Sequence, residues 1–179
     1  LPLVDLGGMA KPVIADYERT IKSGDQNARY IELNHRPFHH IDPEYLILNP
    51  ENGDPGIEDL PYKYSSAFGT AVCLNVIEHV ENPFRVFSAI HNIMKPMGLV
   101  IIATVFEFPY HPSPRDYWRF SPDCLKYLAE QSHFEVLECN WALNITADKG
   151  IQVIETGEPV AIKSVYITMR SIPFTEKIK

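Results

Sequence analysis

"GTAVCLNVIEHVENPFRVFSAIHNIMKPMGLVIIATVF", Gly69 to Phe106, decides the fold. It opens on a buried-type apolar run that turns polar at Glu78-His79. Asn82-Pro83 then lead a segment in which Phe84, Phe87, Ile90, His91 and Met94 share one helical stripe. Pro83 suits a first helical turn, and Pro96 with Gly98 closes the helix, which is expected over 82–96. Leu99 to Phe106 form a continuous apolar run, as in a strand buried on both faces. Strand, helix and strand in that order imply parallel strands joined by a right-handed crossover.

The alternation extends in both directions. Leu3-Val4-Asp5-Leu6 is a short apolar strand ending at Gly7-Gly8. Pro12, Val13, Ile14, Tyr17 and Ile21 fall on one helical face. Residues 29–34 alternate with period two, and 45–49 offer a third strand. On the other side, Ser121-Pro122 cap and open a helix to about Gln131, with Leu125 and Leu128 inward. Residues 134–144 and 161–170 read as two last strands, joined by turn-rich segments that allow antiparallel pairing. The expected fold is α/β: a doubly wound, mostly parallel sheet with an antiparallel C-terminal strand.

Bulk properties bound the function. The chain has 179 residues and 45% hydrophobic content, enough for one domain with a sizeable core. Net charge is −7 and no Lys/Arg run occurs, which argues against a nucleic-acid backbone as partner and for a neutral or cationic small molecule. Cys73, Cys124 and Cys139 form no CxxC, so a disulfide scaffold is not expected and a reducing cytoplasm is the simple reading. No apolar run has the length of a membrane span, and no signal peptide is visible. The opening "LPLVDLGG" reads as a strand already under way, so the chain looks trimmed at its start. Nothing in the sequence sets an oligomeric state.

Ligands on such sheets bind at the carboxyl ends of the strands, where strand order reverses. The candidates are therefore Asp5, Gly7 and Gly8 after the first strand, and Glu32 and Asn34 at the end of the second. Asp54 in a tight turn, and Asn75, Glu78 and His79 beyond the apolar run from Gly69, complete that edge. Glycines allow close backbone approach to a ligand, and a carboxylate or amide at the second strand accepts hydrogen bonds from ribose hydroxyls. "HPSPRDYWRFSP", His111 to Pro122, follows the fifth strand and presents His111, Asp116, Tyr117, Trp118 and Arg119 on a proline-stiffened segment. Histidine suits proton transfer near neutral pH. His35, His39, His40 and Asp42 match no familiar ligand spacing, and no metal is expected.

Residues 60–136 resemble the class I S-adenosylmethionine-dependent methyltransferases, closest to the type 11 branch. The resemblance rests on the order of Leu60-Pro61-Tyr62, Ala67-Phe68-Gly69, Glu78-His79-Val80, Lys95-Pro96-Met97-Gly98 and His133-Phe134-Glu135-Val136. The "HPSPRDYWRFSP" run resembles a subgroup often encoded in cell-surface polysaccharide gene clusters. The resemblance implies a Rossmann-like domain over 1–179 without the N-terminal helices common in such enzymes. It implies methyl transfer to a small-molecule acceptor, such as a sugar or glycan precursor, with S-adenosylhomocysteine as product. Asp5, Gly7, Gly8, Glu32, Asn34, Asp54 and Asn75 would meet the cofactor; His111, Asp116 and His79 would be catalytic. Glu78, Tyr117, Trp118 and Arg119 would meet the substrate. The sequence departs from the family pattern in lacking the last glycine of the first loop. It also carries Asn34, Gly69 and Met97 where the family has an acid, an Asp and a Gly. These departures favour an alternative: a non-catalytic binding or partner module with a degenerate cofactor site.

Overall fold

Phe68–Leu74 (β4) lies at the centre of the sheet, between Leu3–Leu6 (β1) and Met94–Glu107 (β5), and is parallel to both. The computed structural model describes residues 3–6, 30–33, 47–48, 56–60, 64–112, 115–142 and 163–173. Tyr30–Leu33 (β2) and Ile47–Leu48 (β3) extend the parallel part beyond β1. Lys163–Ser171 (β7) runs antiparallel to β5, and Phe134–Ala142 (β6) antiparallel to β7. The order is β3-β2-β1-β4-β5-β7-β6, as the expected fold class requires. Strand order reverses between β1 and β4, which puts the ligand-binding crevice at their carboxyl ends. The helix expected over 12–21 lies outside the described residues. Among the described residues no helix is long and apolar enough to cross a membrane.

Two helices frame the well-described half. Pro83–Ile93 (α1) joins β4 to β5, and the Asn82 side chain caps it by accepting from the Arg85 N–H at 3.2 Å. Pro122–Gln131 (α2) joins β5 to β6, capped by Ser121 Oγ, which accepts from the Cys124 N–H at 3.2 Å. Leu125 and Leu128 point inward as the spacing predicts. The core they close includes Phe68, Phe87, Ile90, Ile102, Phe134 and Ile167.

Three expectations need correction. Helix α1 ends at Ile93, not near Pro96, and β5 begins at once with Met94. The reason is local: a proline disfavours the helical region for the residue before it, here Lys95. Phe84 lies off the inward face, 47% exposed, and meets the Tyr127 ring edge-on. Glu78 and His79 belong to a 3-10 turn, Ile77–His79, rather than a plain loop.

The return into β5 is tight. A Cβ on Gly98 would stand 2.8 Å from Met94 Cε, 2.9 Å from Lys95 O and 3.2 Å from Gly69 O. Two of these are backbone oxygens and cannot swing aside. Met97, just before, has φ 64, a left-handed conformation that costs an L residue about 1–2 kcal/mol. Gly98→Ala is therefore expected to lower stability by about 1–3 kcal/mol, and Met97→Gly to raise it by up to about 1 kcal/mol. Denaturant midpoints measure both; an unchanged midpoint for Gly98→Ala would contradict the close approach.

Candidate active site

Strand pairing assembles the first half of the site. Asp5 pairs in register with Glu32 of β2 and with Val72 of β4, and its side chain is 1% exposed. Asn75 follows β4 with φ 53, a conformation asparagine tolerates better than most residues, and its N–H donates to Ala103 O at 2.8 Å. Gly7, Gly8, Asn34 and Asp54 lie outside the described residues. The Cys73 thiol, fully buried on β4, is pushed well above its usual range by burial, then by the charges of Glu78 and Asp5. It packs as a small hydrophobe.

The second half centres on Glu78. Its side chain has no exposed surface. Oε2 accepts from the Thr104 hydroxyl at 2.8 Å, while Oε1 has no hydrogen-bond partner among the described residues. Two imidazoles face that oxygen. His79 Nε2 and His111 Nε2 each stand 3.9 Å from it, and the two rings meet edge-on with centroids 4.8 Å apart. The opposite ring nitrogens are engaged. His79 Nδ1 bonds to the Arg115 carbonyl. His111 Nδ1 stands 3.0 Å from Pro109 O and 3.1 Å from Asp116 Oδ2. Facing oxygens, each Nδ1 donates its proton, and in the neutral ring Nε2 then carries the lone pair.

The segment after β5 is held by one clamp. Arg119 donates from Nη1 to Asp116 Oδ1 at 2.5 Å and from Nη2 to Oδ2 at 2.8 Å, a two-pronged pair. The same guanidinium reaches the Phe108 and Pro109 carbonyls, both at 3.1 Å from Nη2. Asp116 also accepts the His111 backbone N–H at 2.8 Å. Arg119, then the His111 backbone N–H and the nearby His111 ring, hold the Asp116 carboxyl well below the usual carboxylate range, against the opposing effect of burial. Asp116 in turn raises the Arg119 guanidinium. Tyr117 and Trp118 donate their backbone N–H groups to Glu78 O at 2.8 and 3.2 Å. The Trp118 indole N–H donates to Val80 O at 2.8 Å, and Phe120 is buried. The segment is thereby fastened to the turn after β4.

Of the expected residues, Glu78, His79, His111 and Asp116 come together, with Tyr117 and Trp118 at their rim. Two expected substrate contacts are engaged within the protein in this structure. Arg119 uses all three guanidinium nitrogens within its own segment, so it is a clamp. The Glu78 side chain has no exposed surface. The sequence reading missed Thr104. The signal was present, because Thr104 is the one hydroxyl in the apolar run 99–106.

The fold is that of a Rossmann-like methyltransferase domain. Residues 11–138 match the methyltransferase domain family, and the chain belongs to it. Among solved structures it is similar to the Burkholderia thailandensis 1,6-didemethyltoxoflavin-N1-methyltransferase with bound 1,6-didemethyltoxoflavin and S-adenosylhomocysteine. The two are 14% identical with a TM-score of 0.65, over 96% of this chain and 71% of that one. The [4+2]-cyclase SpnF is 14% identical with a TM-score of 0.66, over 96% and 74%. A Helicobacter pylori tRNA U34 carboxymethyltransferase is 36% identical over 50 residues, 28% of this chain. The match spans 19% of that relative's length.

The clamp sets a pH dependence. The native Asp116 carboxyl lies below its unfolded value, so its stabilisation is complete above about pH 4 and is lost as pH falls through the lowered native value. Asp116→Asn should therefore lose stability at neutral pH and show a shallower acid decline. Thermal melts between about pH 3 and 7 compare the two proteins; parallel curves would remove the clamp from the account.

Proposed function

We propose that the chain transfers a methyl group from S-adenosylmethionine to a hydroxyl of a small polyhydroxy acceptor, a sugar or cell-surface glycan precursor. The observation that carries this reading is the pair of imidazoles, His79 and His111, oriented through Nδ1 at the carboxyl edge of β4 and β5. That edge adjoins the β1–β4 reversal, where Asp5 is buried. A buried acid at the end of β1, in register with Glu32, fits a ribose- and amine-bearing cofactor. Asp5, Gly7, Gly8, Glu32, Asn34, Asp54 and Asn75 would hold it, and its sulfonium supplies an electrophilic methyl carbon.

The protein's share of the chemistry is positioning and removal of a proton. A new bond forms between the acceptor oxygen and the methyl carbon as the S–CH3 bond breaks. The bonding pair stays on sulfur, giving S-adenosylhomocysteine. His79 and His111 draw the proton from the acceptor hydroxyl, in the simplest form as bases. Asp116 and the Pro109 carbonyl keep His111 in the tautomer and orientation this needs. Tyr117 and Trp118, 46% and 40% exposed, offer ring faces of the kind that pack against sugars. The net charge of −7 disfavours a polyanionic acceptor, although the short match to a tRNA-modifying enzyme keeps RNA as a test arm. The second reading, a binding module without catalysis, draws on the missing glycine, Asn34 and Gly69.

Titration calorimetry with S-adenosylmethionine separates the two readings. Saturable binding is expected, and no heat at millimolar cofactor with a folded protein would end the enzyme reading. With a panel of sugars, nucleotide sugars and tRNA, S-adenosylhomocysteine release should respond to the first two. His111→Ala should then lower turnover by about 10²–10⁴-fold while leaving cofactor affinity nearly unchanged. Equal losses in both would make the segment scaffold.

A further inference from the structure

Three ligand-type atoms converge at the acceptor end: Oε1 of Glu78 and the Nε2 atoms of His79 and His111. Glu78 Oε1 is buried without a hydrogen-bond partner among the described residues, and the Nε2 atoms of His79 and His111 each lie 3.9 Å from it. Both Nδ1 atoms already face oxygens, so in the neutral rings the Nε2 atoms that face the carboxylate are free to ligate. A separation of 3.9 Å exceeds hydrogen-bond range, so a proton does not bridge it. Two metal–ligand bonds of about 2.1 Å, opened to between 90° and 180°, span about 3.0–4.2 Å. The observed gap falls inside that span. One ligand atom from each of the three residues lies within 4.8 Å of the others, so modest side-chain rotation closes the set on one ion.

We propose that Glu78, His79 and His111 bind a divalent first-row cation, with open coordination positions facing the acceptor. Two further observations support this. Ligating histidines normally donate their other ring N–H to a carboxylate or backbone carbonyl, which is what His111 does with Asp116 and Pro109 and His79 with Arg115. Among the described residues the buried Glu78 carboxylate accepts one hydrogen bond, from Thr104, and the Arg119 charge acts on it only from beyond ion-pair distance. Two imidazoles and one carboxylate favour zinc, manganese or iron over magnesium, whose preferred ligands are oxygens. The ion's role rests on the methyl-transfer reading and sharpens it. An acceptor hydroxyl on the ion is acidified, as metal-bound water is. Its proton then leaves to solvent, and the alkoxide attacks the methyl carbon while the S–CH3 pair stays on sulfur. With the ion bound, the histidines serve that step as ligands in place of bases, because ligation uses the same Nε2 lone pairs. A sugar with neighbouring hydroxyls could fill two open positions.

The test is metal content, not turnover. The full chain, stripped with chelator, is dialysed against micromolar zinc, manganese or magnesium chloride, and bound metal is measured by mass spectrometry. About one equivalent of zinc or manganese, and much less magnesium, is expected at this site. His79→Ala and His111→Ala should each remove that equivalent, and Asp116→Asn should weaken it by about 10–100-fold. His133→Ala should retain it. Circular dichroism checks folding; should Glu78→Gln fail to fold, the two histidine variants carry the result. Metal binding that is absent, or identical in wild type and both histidine variants, overturns the proposal. Cofactor calorimetry on the stripped protein is read separately. Intact S-adenosylmethionine binding without a metal site leaves methyl transfer standing and removes the ion.

Discussion

The Glu78 carboxylate sets the terms for the rest of the site. Taking an ionised carboxylate out of water costs several kcal/mol unless its surroundings compensate. Here one compensating group is the Thr104 hydroxyl, and Thr104 is in place because β5 runs in register with β4. Leu74 pairs with Ala103, so Thr104 stands one residue beyond the paired end of β4, where the chain turns. The other groups arrive from the segment after β5. Its backbone N–H groups bond to the Glu78 carbonyl, and its His111 faces the Glu78 side chain.

That segment is rigid for reasons that are separate from its chemistry. Asp116 gathers two bonds from Arg119 and one from the His111 backbone, and Arg119 gathers the carbonyls of Phe108 and Pro109. Phe120 anchors one end in the core, and the Trp118 indole ties the middle to Val80. A reactive imidazole needs this kind of support, because orientation errors of an ångström are costly in group transfer. The clamp uses the charges that a reader of the sequence would assign to substrate, which is why Arg119 changes role.

The fold places the site without naming the reaction. SpnF, a [4+2]-cyclase, is as similar in structure to this chain as the methyltransferase from Burkholderia thailandensis. Function on a shared fold lies in particular side chains. In this chain a carboxylate and two imidazoles cluster after β4 and β5, beside the reversal of strand order between β1 and β4.

The sequence by itself determined the order of elements and the side of the sheet that carries chemistry. Periodicity, Asn82-Pro83 and Ser121-Pro122 are local signals, and local signals survive in one dimension. The same holds for Glu78, His79, His111 and Asp116 as candidates, because polar residues after apolar runs mark strand ends. Where α1 stops depended on how Pro96 and a left-handed Met97 lead into β5, which spacing alone does not reveal. Only the tertiary structure decided which polar groups face one another. Thr104 and Glu78 are 26 residues apart, and His79 and Arg115 are 36. Their meeting follows from the parallel register of β4 and β5, a long-range constraint that no short stretch encodes. Burial is decided the same way: the core closes over Glu78 and turns an apparent substrate ligand into the centre that the two histidines face.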